Sequence, residues 1–345
     1  MSQPFEDLPT HLTSEELIDK AFSRASRAGR AKDGYEAQQS MLQTAANIIS
    51  DNLQNVVTNW PDFDELDPFY AALADAVARR TFSGSGSSDS TDGGVDTLRQ
   101  HLSEVQWASR KASEIRTEYQ GRLSGDIETV RKHRKQAFAR LADVVEEIED
   151  DLAALSEVRM DLQDLPDIRP DEPTIVVAGY PNVGKSSFVN RITNARNEIA
   201  AYPFTTTQIH VGHVERDRIR YQLVDTPGLL DRPADERNDI ESQAVSALEH
   251  AADAVLVIVD TTEECGYPLD VQLELRDDVR GRFDVPVLTV ANKVDRYADT
   301  DAVDETSADL DADHYMSVTE DEGVDAVLDA AVEAIGFEPD LPFDG

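Results

Sequence analysis

The chain has little that could cross-link it, hold it in a bilayer or bind it to nucleic acid through bulk charge. Its single cysteine, Cys265, excludes an intramolecular disulfide and suits a reducing compartment, where an inert buried thiol is the expected role. No stretch approaches the ~20 consecutive apolar residues of a membrane-spanning helix. The opening Met1-Ser2-Gln3-Pro4-Phe5-Glu6-Asp7 lacks the basic and apolar regions of a signal peptide. A soluble, cytoplasmic protein with no membrane partner is expected. Basic residues are scarce, 32 against 69 acidic, and the formal net charge of −37 argues against tight non-specific nucleic-acid binding. Two readings of the acid excess compete: a halophilic chain hydrated by dense carboxylates in a salt-saturated cytoplasm, or a chain with a dedicated acidic tail. The acids are spread throughout, which favours the first. A length of 345 residues allows two or three domains, each with a buried core.

What is present centres on Gly179-Tyr180-Pro181-Asn182-Val183-Gly184-Lys185-Ser186. Two glycines bracket four residues and precede Lys and Ser, the spacing of a phosphate-binding loop. Thr174 to Ala178 reads as a buried strand and Ser187 to Ile192 continues as a helix, so strand, loop and helix follow in the required order. The backbone N–H groups from Asn182 to Ser187 would face phosphate oxygens at a helix N-terminus. Lys185 would reach the β- and γ-phosphates of a nucleoside triphosphate, and the Ser186 hydroxyl would ligate magnesium. The bland alternative is an ordinary glycine-containing strand-to-helix turn.

Before this loop the chain is helical in character, with apolar residues at helical spacing from Ser14 to about Asp164. Faces are predicted around Leu17 to Ala25, Met41 to Val56 and Leu66 to Phe82. A Gly/Ser/Asp run at 83–94 reads as a mobile loop between helices. A long helix follows from Val95 to Ser124, then Gly125 as a stop, Asp126 as an N-cap, and another helix to about Leu165. Residues 1–165 thus form a predicted antiparallel bundle. Within it Arg131, Lys132, Arg134 and Lys135 make a positive cluster, and Arg24, Arg27 and Arg30 a second stripe. These are either solvated helix faces or local phosphate contacts for RNA.

Pro166, Pro170 and Pro173 cannot continue a helix, so 166–173 is the expected linker to a second domain over 174–338, with a short acidic tail at 339–345. Asn197 to Thr207 shows no strong periodicity. Strands are predicted at Gln208 to Val214, Ile219 to Val224, Ala254 to Val259, Val285 to Ala291 and Tyr315 to Val318, with helices between them and a closing helix from about Glu322 to Ile335. The class is α/β, a mixed and mostly parallel sheet with helices on both faces and ligands at the strand ends. Asp225-Thr226-Pro227-Gly228 closes one strand, where the aspartate would hold magnesium and the Gly228 N–H would meet the γ-phosphate. Asn292-Lys293-Val294-Asp295 closes another. Its carboxylate is placed to accept two hydrogen bonds from guanine, which adenine cannot offer. Ser317-Val318 is the candidate for a further contact with the base.

These residues, with Tyr202-Pro203-Phe204-Thr205-Thr206, Asp225 to Pro233 and Cys265-Gly266-Tyr267-Pro268-Leu269, resemble a Ras-type GTPase domain, and specifically the Nog (nucleolar G-protein) family of Obg-related GTPases. The resemblance is close over Thr174 to about Asp295 and looser over the helical domain. It implies a magnesium-dependent GTPase that acts in assembly of the large ribosomal subunit, its helical domain docking on ribosomal RNA. A GTP-gated binding module with negligible hydrolysis, or an Obg-like translation-associated factor, is the alternative. The short acidic chain looks like a haloarchaeal member. By this resemblance Thr206 is the switch threonine that binds magnesium, with Thr205 and Thr207 leaving the register open by one. Leu229 stands where Ras has the glutamine that orients the attacking water, a task leucine cannot perform. Asn182 matches the asparagine that helps related GTPases hold potassium, and is otherwise a loop residue bonded to its own backbone.

Overall fold

The computed structural model describes residues 3–83, 94–194, 197–201, 208–231, 239–296 and 310–337. Residues 84–93 of the loop predicted at 83–94, Thr205 to Thr207, and the tail predicted at 339–345 lie outside the described residues. The chain divides into two compact units: one of residues 5–65 and 77–163, the other of 1–4, 66–76 and 164–345.

The first unit is helical: α1 (Ser14–Arg30), α2 (Gly34–Thr58), the last part of α3 (Pro68–Ser83), α4 (Val95–Arg122), α5 (Ile127–Glu147) and α6 (Glu149–Gln163). The local signals explain its starts. Thr13 and Glu16 close a reciprocal capping box at α1. Asp126 caps α5 by accepting the Glu128 and Thr129 N–H groups. Leu17, Leu42, Ile49, Leu53, Leu98 and Ile115 are buried at the centre, with Ala45, Ala46, Ala108 and Ala112 keeping α2 and α4 close. The single helix expected from Asp126 to Leu165 is two, broken at Ile148. The break falls among Glu146, Glu147, Glu149, Asp150 and Asp151, where like charges one turn apart weaken helical pairing.

The second unit is built on a seven-stranded sheet of β1 (Thr174–Ala178), β2 (Asn197–Ala201), β3 (Gln208–Arg216), β4 (Ile219–Asp225), β5 (Ala254–Asp260), β6 (Val287–Asn292) and β7 (His314–Tyr315). The order is β2-β3-β4-β1-β5-β6-β7. The β2–β3 and β3–β4 pairs are antiparallel and the others parallel. β2 was not expected, since its residues carry no strong alternation; antiparallel pairing with residues 208–212 of β3 makes it a strand. α7 (Lys185–Ile192), α8 (Asp239–Ala251), α9 (Leu269–Arg282) and α10 (Val324–Ile335) complete the unit. Parallel strands need both faces covered, and β1 and β5 are accordingly buried along their whole length.

Residues 166–173 are fastened within this second unit. Gln222 of β4, wholly buried, donates through Nε2 to the carbonyls of Arg169 (2.8 Å) and Glu172 (3.1 Å), and its Oε1 accepts the Arg169 N–H at 2.9 Å. Tyr70 donates to the Ile168 carbonyl at 2.8 Å. Burial and the nearby Asp167 push the phenol well above its ordinary range.

Candidate site at the carboxyl ends of β1, β4, β5 and β6

Four neighbouring strands end at one edge of the sheet, and each hands a polar group to it. β1 runs into the glycine loop, β4 ends in Asp225, β5 in Asp260 and β6 in Asn292. The register sets them side by side: Val177 is opposite Asp225, and Asp260 opposite Asn292.

The loop's glycines are fixed by space as well as by backbone angle. Gly179 has φ 134°, and a Cβ there would lie 2.3 Å from the Ile258 carbonyl oxygen. Gly184 has φ 110°, and a Cβ would lie 2.2 Å from Asn292 Nδ2. Asn182 also takes a left-handed conformation, φ 64°, which asparagine tolerates better than most residues. Lys185, only 6% exposed, donates to the carbonyls of Gly179 (2.6 Å) and Tyr180 (3.0 Å). Burial holds its pKa down, against the pull of Asp225 and Asp231. Ser186 Oγ donates to Asp225 Oδ2 at 2.5 Å. Asp225 is fully buried, its Oδ1 has no hydrogen-bond partner among the described residues, and burial raises its pKa despite Ser186, Lys185 and His210. A buried carboxylate oxygen without a partner is a costly group. Beside a serine hydroxyl it makes an all-oxygen donor pair that fits a hard divalent cation such as magnesium.

Asn292 ties the Asn292-Lys293-Val294-Asp295 segment to the glycine loop. Its Nδ2 donates to the Val183 carbonyl at 2.8 Å and its Oδ1 accepts the Val318 N–H at 3.3 Å. Ser317 is buried, and its Oγ accepts the Glu320 N–H at 3.1 Å. The structure therefore brings Asn182 to Ser187, Asp225, Gly228, Asn292 to Asp295, and Ser317-Val318 to one end of the sheet. Ser187 is exposed on the first turn of α7. Asp295 lies in the 3-10 turn Val294–Arg296, within 3.9 Å of Arg296. The Gly228 N–H donates to Asp231 Oδ2 at 2.9 Å, and Leu229 is buried, 1% exposed. Thr206 is outside the described residues.

Two participants were not read from the sequence. Asp260 accepts Lys293 Nζ at 2.6 Å and the Cys265 N–H at 2.8 Å, so it fixes both the lysine of the base motif and the loop after β5. Gln272 of α9 accepts the Asp260 N–H and donates to Tyr267 O. Tyr267 in turn packs against Tyr180 of the glycine loop, the rings tilted by 33° with 4.3 Å between centroids. A signal for Asp260 existed: Val259-Asp260-Thr261 repeats Val224-Asp225-Thr226 at the end of a second apolar strand.

Such an arrangement, glycine loop, buried magnesium-type aspartate and Asn-Lys-x-Asp on adjacent strand ends, defines a P-loop GTPase. A family model described as 50S ribosome-binding GTPase matches residues 174–293, and one described as NOG1 N-terminal helical domain matches residues 5–169. An uncharacterized protein of Methanocaldococcus jannaschii is 33% identical over 305 residues, 85% of this chain and 81% of that one. Nucleolar GTP-binding protein 1 of Drosophila melanogaster is 32% identical over 289 residues, 83% of this chain and 41% of that one. Its namesake in Saccharomyces cerevisiae is 28% identical over 322 residues, 90% of this chain and 47% of that one. The chain belongs to the Nog family of GTPases, and spans less than half the length of the fly and yeast relatives.

On the helical unit, the predicted basic cluster divides. Arg131, Lys132 and Lys135 are exposed and form no ion pair among the described residues. Arg134 turns inward, donating to Gln38 and lying over the Phe138 ring at 4.9 Å, and partial burial lowers its pKa. Arg24, Arg27 and Arg30 are exposed along α1. Among the described residues no helix is long and apolar enough to cross a membrane.

Proposed function

We propose that the chain binds GTP with magnesium, hydrolyses it slowly when alone, and acts in the cytoplasm as an assembly factor of the large ribosomal subunit. The observation that carries the nucleotide chemistry is the Ser186–Asp225 pair, with its unpartnered buried oxygen, directly beneath the glycine loop and Lys185. Ser186 and Asp225 would hold the magnesium, with Thr206 completing its ligands. Bound magnesium supplies charge neutralisation for the departing phosphate. Lys185 would shift from the loop carbonyls to the β- and γ-phosphates, and Asp295 would read guanine. The subunit-level role draws on the names of the family and its relatives, with Arg131, Lys132 and Lys135 as the local RNA contact; Arg134 supports that face by packing.

Leu229, buried in place of a water-orienting side chain, also favours a second reading, a GTP-gated binding module with negligible hydrolysis. Potassium beside Asn182 would offset that deficit; loss of an arginine-finger equivalent is worth roughly 10³ to 10⁵ in rate. The discriminating experiment is single-turnover hydrolysis in potassium and in sodium at equal ionic strength, with and without ribosomal subunits. Turnover that rises with potassium or with subunits supports the GTPase; no turnover in any arm leaves the binding module. Co-sedimentation with subunits in GTP and GDP tests the partner: equal absence from the pellet in both would remove it.

A further inference from the structure

The helical unit contains a pocket of about 520 Å³, within the ~300–1,000 Å³ typical of small-molecule sites. It is walled by residues 8–12, the first turns of α1, the last turns of α2, and α6. Its lining is exceptional for this chain. One residue in five of the sequence is acidic, yet among the described residues no aspartate or glutamate lines the pocket, while Lys20, Arg159 and Trp60 do. Two carboxylates close by in sequence are engaged elsewhere: Glu16 in the α1 capping box and Asp151 with His101 at 2.6 Å.

The cations are held but not neutralised. Lys20 Nζ donates to Asn52 Oδ1 at 3.1 Å, a neutral acceptor. Arg159 donates one guanidinium N–H to Gln163 Oε1 at 2.6 Å, and its Nε is buried with no hydrogen-bond partner among the described residues. Among the described residues neither cation forms an ion pair, so those of their N–H groups that reach the pocket can take an anion. The wall opposite is pinned: Gln163 Nε2 donates to the carbonyls of Leu8 (2.8 Å) and Glu6 (3.1 Å), and His11 Nε2 donates to the Leu152 carbonyl at 2.8 Å. In the neutral ring His11 Nδ1 is thereby left as an acceptor. The Asn55 amide, also on the lining, makes no hydrogen bond among the described residues. An aromatic plane, a free amide, a ring acceptor and two uncompensated cations form the complement of a nucleotide.

We propose that this pocket binds an unpaired nucleotide, its base laid against Trp60 and its phosphate held by Lys20 and Arg159. The inference is separate from the guanine site and does not rest on the reading of that site. The same chemistry has two sources, a free nucleoside phosphate or a nucleotide splayed from single-stranded RNA. The test uses full-length protein carrying Trp107→Phe, which leaves Trp60 as its one tryptophan. The guanine site is loaded with one equivalent of GDP with magnesium and unbound nucleotide is removed by gel filtration, so that no free GDP competes for the pocket, at the lowest salt where circular dichroism shows the native fold. Uridine monophosphate, a hexauridylate and an acidic hexapeptide are titrated separately while Trp60 fluorescence is read. Saturable quenching by uridine monophosphate and hexauridylate alike assigns the free nucleotide. Quenching by hexauridylate at least tenfold tighter than by the monophosphate assigns RNA. Lys20→Gln and Arg159→Gln should each weaken binding about tenfold, the loss of one charge-assisted contact. Lys20 is exposed, so its variant tests the idea even if Arg159→Gln fails to fold. Quenching by the peptide alone, no saturable signal from either nucleotide probe, or unchanged affinity in folded Lys20→Gln would overturn the proposal.

Discussion

Among the described residues, the helical unit buries two polar side chains, Ser14 and Ser109, whereas the sheet unit buries Lys185, Asp225, Asp260, Asn292, Gln222, Gln272 and others. Both come from one acidic chain, so composition does not explain the difference. A bundle that closes over Leu and Ala can meet partners only with its surface and its pocket. The sheet unit keeps charged and amide groups inside at a cost, and a unit that does so must recover that cost through hydrogen bonds or through a ligand. Asp260 and Gln222 recover it through hydrogen bonds. Asp225, with one oxygen unpartnered among the described residues, does so only in part.

The largest expected effect follows from that contrast. Asp225→Asn should lower magnesium-dependent GTP affinity by about 10² or more while the nucleotide-free protein becomes more stable, by about 1 kcal/mol. The sign follows from its raised pKa. The folded state holds the Asp225 proton more tightly than the unfolded chain does. The burden is therefore full above the raised value and is relieved as pH falls towards the ordinary ~3.9. Calorimetry with magnesium, and thermal melts of the ligand-free variant between pH 4 and 8, check both halves. Reduced stability together with lost binding would mean that Asp225 is structural.

Next in size is Gln222→Ala, which strips four hydrogen bonds from residues 169–174. A loss of about 2–4 kcal/mol is expected in denaturant unfolding, with GTP affinity little changed in the folded fraction. Smaller in free energy, but sharper in specificity, is Asp295→Asn: competition assays should show weakened GTP and improved xanthine nucleotide binding. A preserved preference for GTP would remove Asp295 from base reading. The smallest stability effect belongs to the bundle surface. Arg131→Glu with Lys132→Glu should shift unfolding by less than about 0.5 kcal/mol, since both are exposed and neither forms an ion pair among the described residues. It should still weaken co-sedimentation with ribosomal subunits and flatten its salt dependence. Equal sedimentation would return the cluster to a solvated helix face.

The same contrast sets what could be read from the residues alone. The glycine loop, Asp225 and Asn292 to Asp295 were legible because phosphate and base recognition demand fixed residue types at fixed local spacings. The helix start at Asp126 was legible because a cap is a contact three residues long. Asp260 and Gln272 were not singled out, because their partners lie across the sheet and no local pattern obliges a glutamine on α9 to meet the end of β5. β2 escaped for a related reason: its strand character comes from pairing with β3, not from its own side chains. The inward turn of Arg134 and the acid-free pocket likewise exist only once helices distant in sequence are packed together.

The bond from Asn292 to the Val183 carbonyl, with Gly184 leaving no room for a Cβ between them, makes the glycine loop and the base motif a single stiff gauge. The span from guanine to phosphates is then a dimension of the protein and not of the ligand. A guanine nucleotide of matching length engages both ends without strain, and a fragment that satisfies only one end gains nothing from the other. Guanosine and inorganic triphosphate should therefore each bind far more weakly than GTP, in which the two are joined at the matching length. Lengthening or bending the link between base and phosphate should be felt equally at Asp295 and at Lys185, however far apart those residues stand in the sequence.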